Sequence, residues 1–253
     1  MIDIHSHFVW GLDDGPSSID DSLAMLRVAA DDGITDIVAT PHFNAQYPFQ
    51  PDLLRSHVQE LAGHTAGKPA IHYGCEFQLT SDNLGPLLEN PFAFTINGGP
   101  YLLVELPNSH IAKHTESFLT RLVDARIVPV LVHPERNVLV LRDLDRLERW
   151  VELGCLVQVT ALSITGGFGG APKSGAIRLL DRGLVHSVAS DAHDPSYRPP
   201  ILSAAYDAVR ARAGQEAADL LLTDHPRDMV QGRPLPGGRL ILDGPPKRRW
   251  WHF

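Results

Sequence analysis

Short apolar runs bounded by turn residues alternate with stretches of helical period along most of the chain. The runs Ile2–His5, Asp36–Thr40, Ala70–Phe77, Tyr101–Glu105, Val128–His133, Leu156–Thr160 and Val185–Ser190 read as strands. Helical spacing marks Ser18–Asp32, Pro51–Gly63, Ile111–Ala125, Leu141–Glu152, Pro172–Arg182 and Leu202–Ala213. In the first of these, Leu23, Leu26, Val28 and Ala30 read as one side. Gly33 and Gly183 stand where helix C-termini favour glycine. Strand–helix alternation produces a parallel sheet. Seven such units in one domain predict an α/β fold closed as a distorted barrel rather than an open sheet.

Composition narrows the class. The chain has 253 residues, 43% hydrophobic, with 22 Lys and Arg against 30 Asp and Glu, for a net charge of −8. A broad basic face for nucleic acid is thereby disfavoured. Two cysteines, Cys75 and Cys155, lie at no metal-binding spacing, which predicts a reducing, cytoplasmic setting. No apolar run reaches the roughly 20 residues of a membrane span, and the first residues do not read as a signal peptide. The reading divides the chain into a domain over residues 1–236 and a Pro/Gly-rich, then basic-aromatic tail over residues 237–253, ending in Lys247-Arg248-Arg249-Trp250-Trp251-His252-Phe253.

The chemistry lies at the strand ends. His5 and His7 end the first strand, His42 follows the second, and Glu76 lies near the end of the third. Glu105 closes the fourth and His133 the fifth. Asp191 and His193 follow the seventh, and Asp14 sits in the loop after the first. Singly, each has an ordinary reading as a hydrogen-bonding or turn residue. Together, six of seven strands deliver a metal-competent side chain to the carboxyl-terminal face, where barrel active sites form. Nine such groups exceed one tetrahedral ion. Five imidazoles, four carboxylates and no thiolate suit two or three divalent ions of manganese, iron or zinc type. Cys75 is turned away from Glu76 by strand alternation and reads as core.

His5-x-His7, Pro41-His42, Glu76, His133 and Ser190-Asp191-Ala192-His193 resemble the PHP (polymerase and histidinol phosphatase) superfamily. Asp3-Ile4-His5-Ser6-His7, Asp13-Asp14-Gly15-Pro16, His133-Pro134-Glu135-Arg136 and Gly183–His193 are similar to the bacterial PHP-type protein-tyrosine phosphatases of capsule and exopolysaccharide synthesis. The resemblance runs from Met1 to about Pro236 and implies a distorted (β/α)7 TIM-like barrel with a trinuclear centre, usually of manganese. It implies one site of His5, His7, Glu76 and Asp191, a second of bridging Glu76 with Glu105 and His133, and a third of Asp14, His42 and His193. Asp13 could replace Asp14 on chemical grounds; the alignment of the motif favours Asp14. Arg136 and Arg198 match the family's phosphate-binding arginines, and a guanidinium fork suits phosphate oxygens.

The function implied is hydrolysis of phosphotyrosine by a hydroxide bridging two ions, with a bacterial tyrosine kinase tail as the expected substrate and an oligomer compatible with the sequence. The alternative on the same fold is a small-molecule phosphomonoesterase such as a histidinol phosphatase. A nuclease fits the acidic charge poorly. An amidohydrolase would carry a carboxylated Lys where Glu76 stands, and a metal-stabilised regulatory module leaves the two arginines unexplained. Peripheral features are the Gly-rich segment Ser163–Gly175, read as a connection or substrate-contacting lid, and Phe8, Trp10 and Phe43, read as core or as contacts for a tyrosyl ring. Neither cysteine begins the loop ending in Arg that a cysteine-dependent tyrosine phosphatase needs: six residues after Cys75 is Ser81, and six after Cys155 is Ala161. Phosphatase activity is therefore expected to vanish with a chelator and to withstand thiol alkylation; activity surviving exhaustive metal removal would sink the metal reading.

Overall fold

A computed structural model describes residues 1–241. The tail Lys247–Phe253 lies outside the described residues. Among the described residues, nine parallel strands form two ladders. They are β1 (Ile2–Ser6), β2 (Asp36–Ala39), β3 (His42–Phe43), β4 (Ala70–Tyr73), β5 (Glu76–Gln78), β6 (Tyr101–Glu105), β7 (Val128–Val132), β8 (Leu156–Thr160) and β9 (Ser187–Ala189). The ladders run β1-β2-β4 and β3-β5-β6-β7-β8-β9. The expected strand Ala70–Phe77 is interrupted at Gly74-Cys75, and the expected strand Asp36–Thr40 is followed, past Thr40-Pro41, by the short strand β3. Proline has no N–H to donate to a ladder, yet pairing resumes on the far side, since Gly74 N–H donates to Ala39 O at 2.8 Å and Glu76 N–H to Pro41 O at 3.0 Å. With β2–β3 and β4–β5 each taken as one broken strand, the order has seven members.

The ring joins between its first and last strands. His7 N–H donates to Ala192 O and Asp191 N–H to His5 O, both at 2.8 Å. Beneath that seam, Asp3 accepts from Ser190 N–H at 3.0 Å and Ser190 Oγ at 2.5 Å. Asp3 and Ser190 are both buried, so this clip satisfies polar groups that water does not reach.

Two apolar clusters follow from strand alternation. The inner one contains Ile2, Ile4, Val38, Tyr101, Leu103, Val130, Val132, Leu156 and Ala189, all upstream of the candidate site on their strands. It fills the barrel and floors the site. The outer, larger cluster packs strands such as β2 against helices Ile19–Asp31, Pro51–Thr65 and Leu144–Glu152. In Ile19–Asp31 the buried residues are Ser22, Met25, Leu26 and Ala29. The expected side of Leu23, Leu26, Val28 and Ala30 is thus rotated: Ala30 is exposed, and Leu23 and Val28 are only half-buried. Spacing of three and four from Ser22 places one residue per turn on the sheet, which the apolar residues alone do not trace.

Strict alternation along β1 would also separate Ile4 from His5. The pairing of β1 with β2 shifts between Asp3 and Ser6, a β-bulge. Bulges re-aim side chains beside functional sites, and this one brings His5 inward directly after Ile4. Replacing Asp3 by Ala strands the Ser190 N–H and hydroxyl at the seam. The expected loss is about 2–4 kcal/mol of unfolding free energy, read from urea denaturation; an unchanged midpoint would show that the clip does not hold the ring.

Candidate metal centre

All nine expected ligands meet at the carboxyl-terminal mouth of the barrel. Glu76, entirely buried, is central. Its Oε2 lies 3.4 Å from His5 Nε2, 3.3 Å from His7 Nε2 and 2.7 Å from His42 Nδ1. Its Oε1 pairs with His133 Nε2 at 2.6 Å. Asp191 Oδ1 lies 3.7 Å from His5 Nε2 and 3.6 Å from His7 Nε2, which are themselves 3.2 Å apart. Four ligands about 2.1 Å from a tetrahedral ion stand about 3.4 Å from one another. The three separations among His5, His7 and Glu76, 3.2–3.4 Å, match that spacing, and their donor atoms form one group to which Asp191 is adjacent through the two imidazoles.

Asp14 Oδ1 lies 3.4 Å from His42 Nε2 and 3.3 Å from His193 Nε2. Donor atoms of His7, Asp14, His42 and His193 form one group within 4.8 Å, and those of His42, Glu76 and Glu105 another. The groups therefore overlap more than the three expected sets. His42 faces Asp14 with one nitrogen and Glu76 with the other, and Glu105 groups with His42 as well as Glu76. Glu105 also accepts from Gln78 Nε2 at 2.9 Å.

Glu76 Oε2 and His42 Nδ1 are buried without a well-directed hydrogen bond, despite their 2.7 Å approach. A carboxylate oxygen ringed by three imidazole nitrogens with no hydrogen-bond donor aimed at it suits a cation. The residues present thus fit a divalent metal.

The supporting layer was only partly legible beforehand. His7 Nδ1 donates to Asp13 at 2.6 Å, and Asp13 also accepts from Gly15 and His42 N–H at 3.0 Å. Asp13 therefore orients His7, while Asp14 faces His42 and His193. Gly15 fits its place because an added Cβ would stand 2.1 Å from His7 O. His5 Nδ1 donates to Gln158 Oε1 at 2.9 Å. These bonds leave each Nε2 lone pair free for a metal. Gln158 was missed; its signal was a lone amide inside the apolar strand Leu156–Thr160, the strand without a ligand candidate. His133 and Asp191 take left-handed backbone, with φ of 36° and 53°. Such angles carry strain in residues with a Cβ and cluster at functional sites.

Arg136 and Arg198 converge on Asp191 Oδ2, Arg136 through Nη1 and Arg198 through Nη2 at 2.9 Å. Asp191 is two-sided, with Oδ1 toward imidazoles and Oδ2 toward guanidiniums. Burial opposes its ionisation, but His5, His133 and the two arginines hold its pKa well below the ordinary carboxylate value. Arg198 Nε is buried and makes no hydrogen bond. The flanking aromatics divide: Phe8 is core, Phe43 packs against Phe77 and Phe94, and Trp10 stacks on His57 at 3.8 Å. Cys75 and Cys155 are fully buried, and burial pushes both thiols up.

Burial lowers the pKa of an imidazole, yet His7 is raised to about 9, through Asp13, and His42 to about 11, through Asp14 and Glu76. Without metal both hold a proton at neutral pH. That charge contributes stability in full below the unfolded value near 6.5 and loses it as pH rises through about 9 and then about 11. A metal needs the neutral rings. Metal binding at pH 7 should therefore release protons from these rings; calorimetry in buffers of different ionisation enthalpy measures this, and a buffer-independent enthalpy would contradict it.

Comparison with known proteins agrees with this geometry. The model of the family described as "Capsular polysaccharide synthesis, CpsB/CapC" matches residues 1–231. The tyrosine-protein phosphatase CpsB of Streptococcus pneumoniae is 32% identical over 239 residues, 91% of this chain and 98% of that protein. The tyrosine-protein phosphatase YwqE of Bacillus subtilis is 33% identical over 202 residues, 78% and 79% of the two chains. A crystal structure from the work on YwqE of Bacillus subtilis and CpsB of Streptococcus pneumoniae, metal-dependent tyrosine phosphatases, superposes with a TM-score of 0.87 at 28% identity, covering 95% of this chain and 100% of that one. A β-aspartyl dipeptidase from Fervidobacterium islandicum shares the fold alone, with a TM-score of 0.58 at 13% identity over 96% of this chain and 75% of its own. The chain belongs to the CpsB/CapC family of capsular polysaccharide synthesis.

Proposed function

We propose that this chain is a metal-dependent protein-tyrosine phosphatase. In this reading His5, His7, Asp14, His42, Glu76, Glu105, His133, Asp191 and His193 hold two or three divalent ions, manganese first. The substrate is a phosphotyrosine protein, with the tail of a bacterial tyrosine kinase acting in capsule or exopolysaccharide synthesis as its natural form. The observation that carries the reading is Glu76 Oε2, buried among three imidazole nitrogens, two of which also face the Asp191 carboxylate that two arginines engage. Relatives of 32% and 33% identity bear the tyrosine-phosphatase name over most of their length.

When bound, such ions supply a Lewis acid that neutralises phosphoryl charge and makes water acidic enough to act near neutral pH. The chain's own residues supply the rest. Gln158 and Asp13 hold His5 and His7 in the tautomer that leaves Nε2 free. Arg136 and Arg198 stand at the rim with guanidinium forks suited to the non-bridging phosphoryl oxygens. The tyrosyl leaving group has a pKa of roughly 10, so the site can act without a strong general acid. No helix among the described residues is long and apolar enough to cross a membrane.

A panel of phosphotyrosine peptides, phosphoserine peptides and histidinol phosphate, assayed with manganese against a chelated control, tests the function. Preference for phosphotyrosine is expected, and preference for histidinol phosphate would overturn it. Arg136→Gln and Arg198→Gln should each lower kcat/KM by about 10²-fold, the scale of losing one donor to developing charge, with metal content unchanged.

A further inference from the structure

The Gly-rich segment after β8 is not a bare connection. It puts Phe168 beside both arginines, with its ring centroid 5.0 Å from the guanidinium carbon of Arg136 and 5.6 Å from that of Arg198. The two arginines arrive on different connections, after β7 and after β9, and Phe168 comes from the connection between them. The segment is folded to hold it there. Gly166 and Gly169 take φ of +96° and +90°, a left-handed backbone strained for other residues. A Cβ on Gly167 would stand 2.8 Å from Leu162 Cδ2. A Cβ on Gly175 would stand 2.9 Å from Glu135 O, so the helix Gly170–Asp181 lies against the turn Pro134–Arg136 that carries Arg136.

We infer that Phe168 is a positioning residue that holds Arg136 and Arg198 in one orientation, so that both present donors to the same phosphoryl group. This rests on the reading of those arginines as phosphate-binding groups. Two guanidiniums on one carboxylate oxygen repel each other, and each long side chain has many rotamers to lose. An aromatic quadrupole within about 6 Å attracts each cation and limits its orientations. The ring thus offsets the repulsion and the ordering cost before substrate arrives, as preorganised sites require.

Inorganic phosphate is the discriminating probe because it has no ring. Its Kd, measured by calorimetry on the manganese-loaded protein, is compared with KM for p-nitrophenyl phosphate. Phe168→Leu should raise both together by about tenfold, the scale of two lost cation–π contacts. Phe168→Tyr and Phe168→Trp should restore most of the loss, with metal content equal throughout. If Phe168→Leu does not fold, Phe168→Met keeps the bulk without the ring and repeats the measurement. An unchanged phosphate Kd overturns the inference. So does a rise in KM alone, which would mean that the ring reads the substrate's aromatic group. Arg136→Gln and Arg198→Gln separate the two levels. If they weaken phosphate binding and Phe168→Leu does not, only the role of Phe168 falls. If they leave it unchanged, the phosphate reading of the arginines falls, and the role of Phe168 with it.

Discussion

A single carboxylate, entirely out of water, organises this protein. Glu76 ends the break in the third barrel strand and has imidazoles from His5, His7, His42 and His133 around its two oxygens. A buried charge without compensation is prohibitive. Burial would push its carboxyl pKa up, but His5, His133 and His42 hold it well below the ordinary value. Those four imidazoles come from the connections or ends of three different barrel strands. Glu76 is tolerable only if the ring of strands holds them together, with protons or metal cations carrying the positive charge. Metal loading and folding are therefore linked, since ions that bind only the assembled site stabilise it.

The barrel meets this demand by separating apolar and ionic layers along its axis. Upstream positions such as Ile4, Val38, Leu103 and Val132 form an apolar floor, and His5, His42, Glu105 and His133 follow them within one to four residues. The transition is abrupt and leaves marks in the backbone. They are a bulge in β1, left-handed angles at His133 and Asp191, and interruptions at Thr40-Pro41 and Gly74-Cys75. Each departs from regular strand geometry where a side chain is re-aimed. The Asp3–Ser190 clip and the hydrogen bonds between β1 and the segment after β9 hold the seam at which those distortions meet.

Above the floor, charge is arranged from inside outward. Asp13 and Gln158 orient imidazoles from behind. Asp191 passes between layers, with one oxygen toward His5 and His7 and the other toward the arginines. Phe168 lies against both guanidiniums at the rim. The chain's net charge of −8 is thus compatible with two guanidiniums at the mouth suited to a phosphoryl group.

Hydrophobic periodicity was enough to place seven parallel strand units and the major helices, because period 2 and period 3.6 are local properties. Tyr101–Glu105 and Leu156–Thr160 have the boundaries expected from the apolar pattern. The ligand candidates were legible because parallel strands send every carboxyl end to one face, whatever the loops do between them. Local pattern could not resolve how the side chains meet. His42 touches two groups through two nitrogens, and Asp13 supports His7 while its neighbour Asp14 faces His42 and His193. Gln158 reaches a histidine 153 positions away, and Phe168 meets arginines from two other connections. The short helices Val138–Leu141, Ala161–Thr165 and His225–Val230 were also invisible, because segments of four to six residues owe their stability to tertiary packing. Sequence alone determined the major strands and helices and the chemistry they carry to one face, since both follow from neighbours along the chain. Tertiary structure alone decided which atoms share a charge, since that depends on distances across the closed ring.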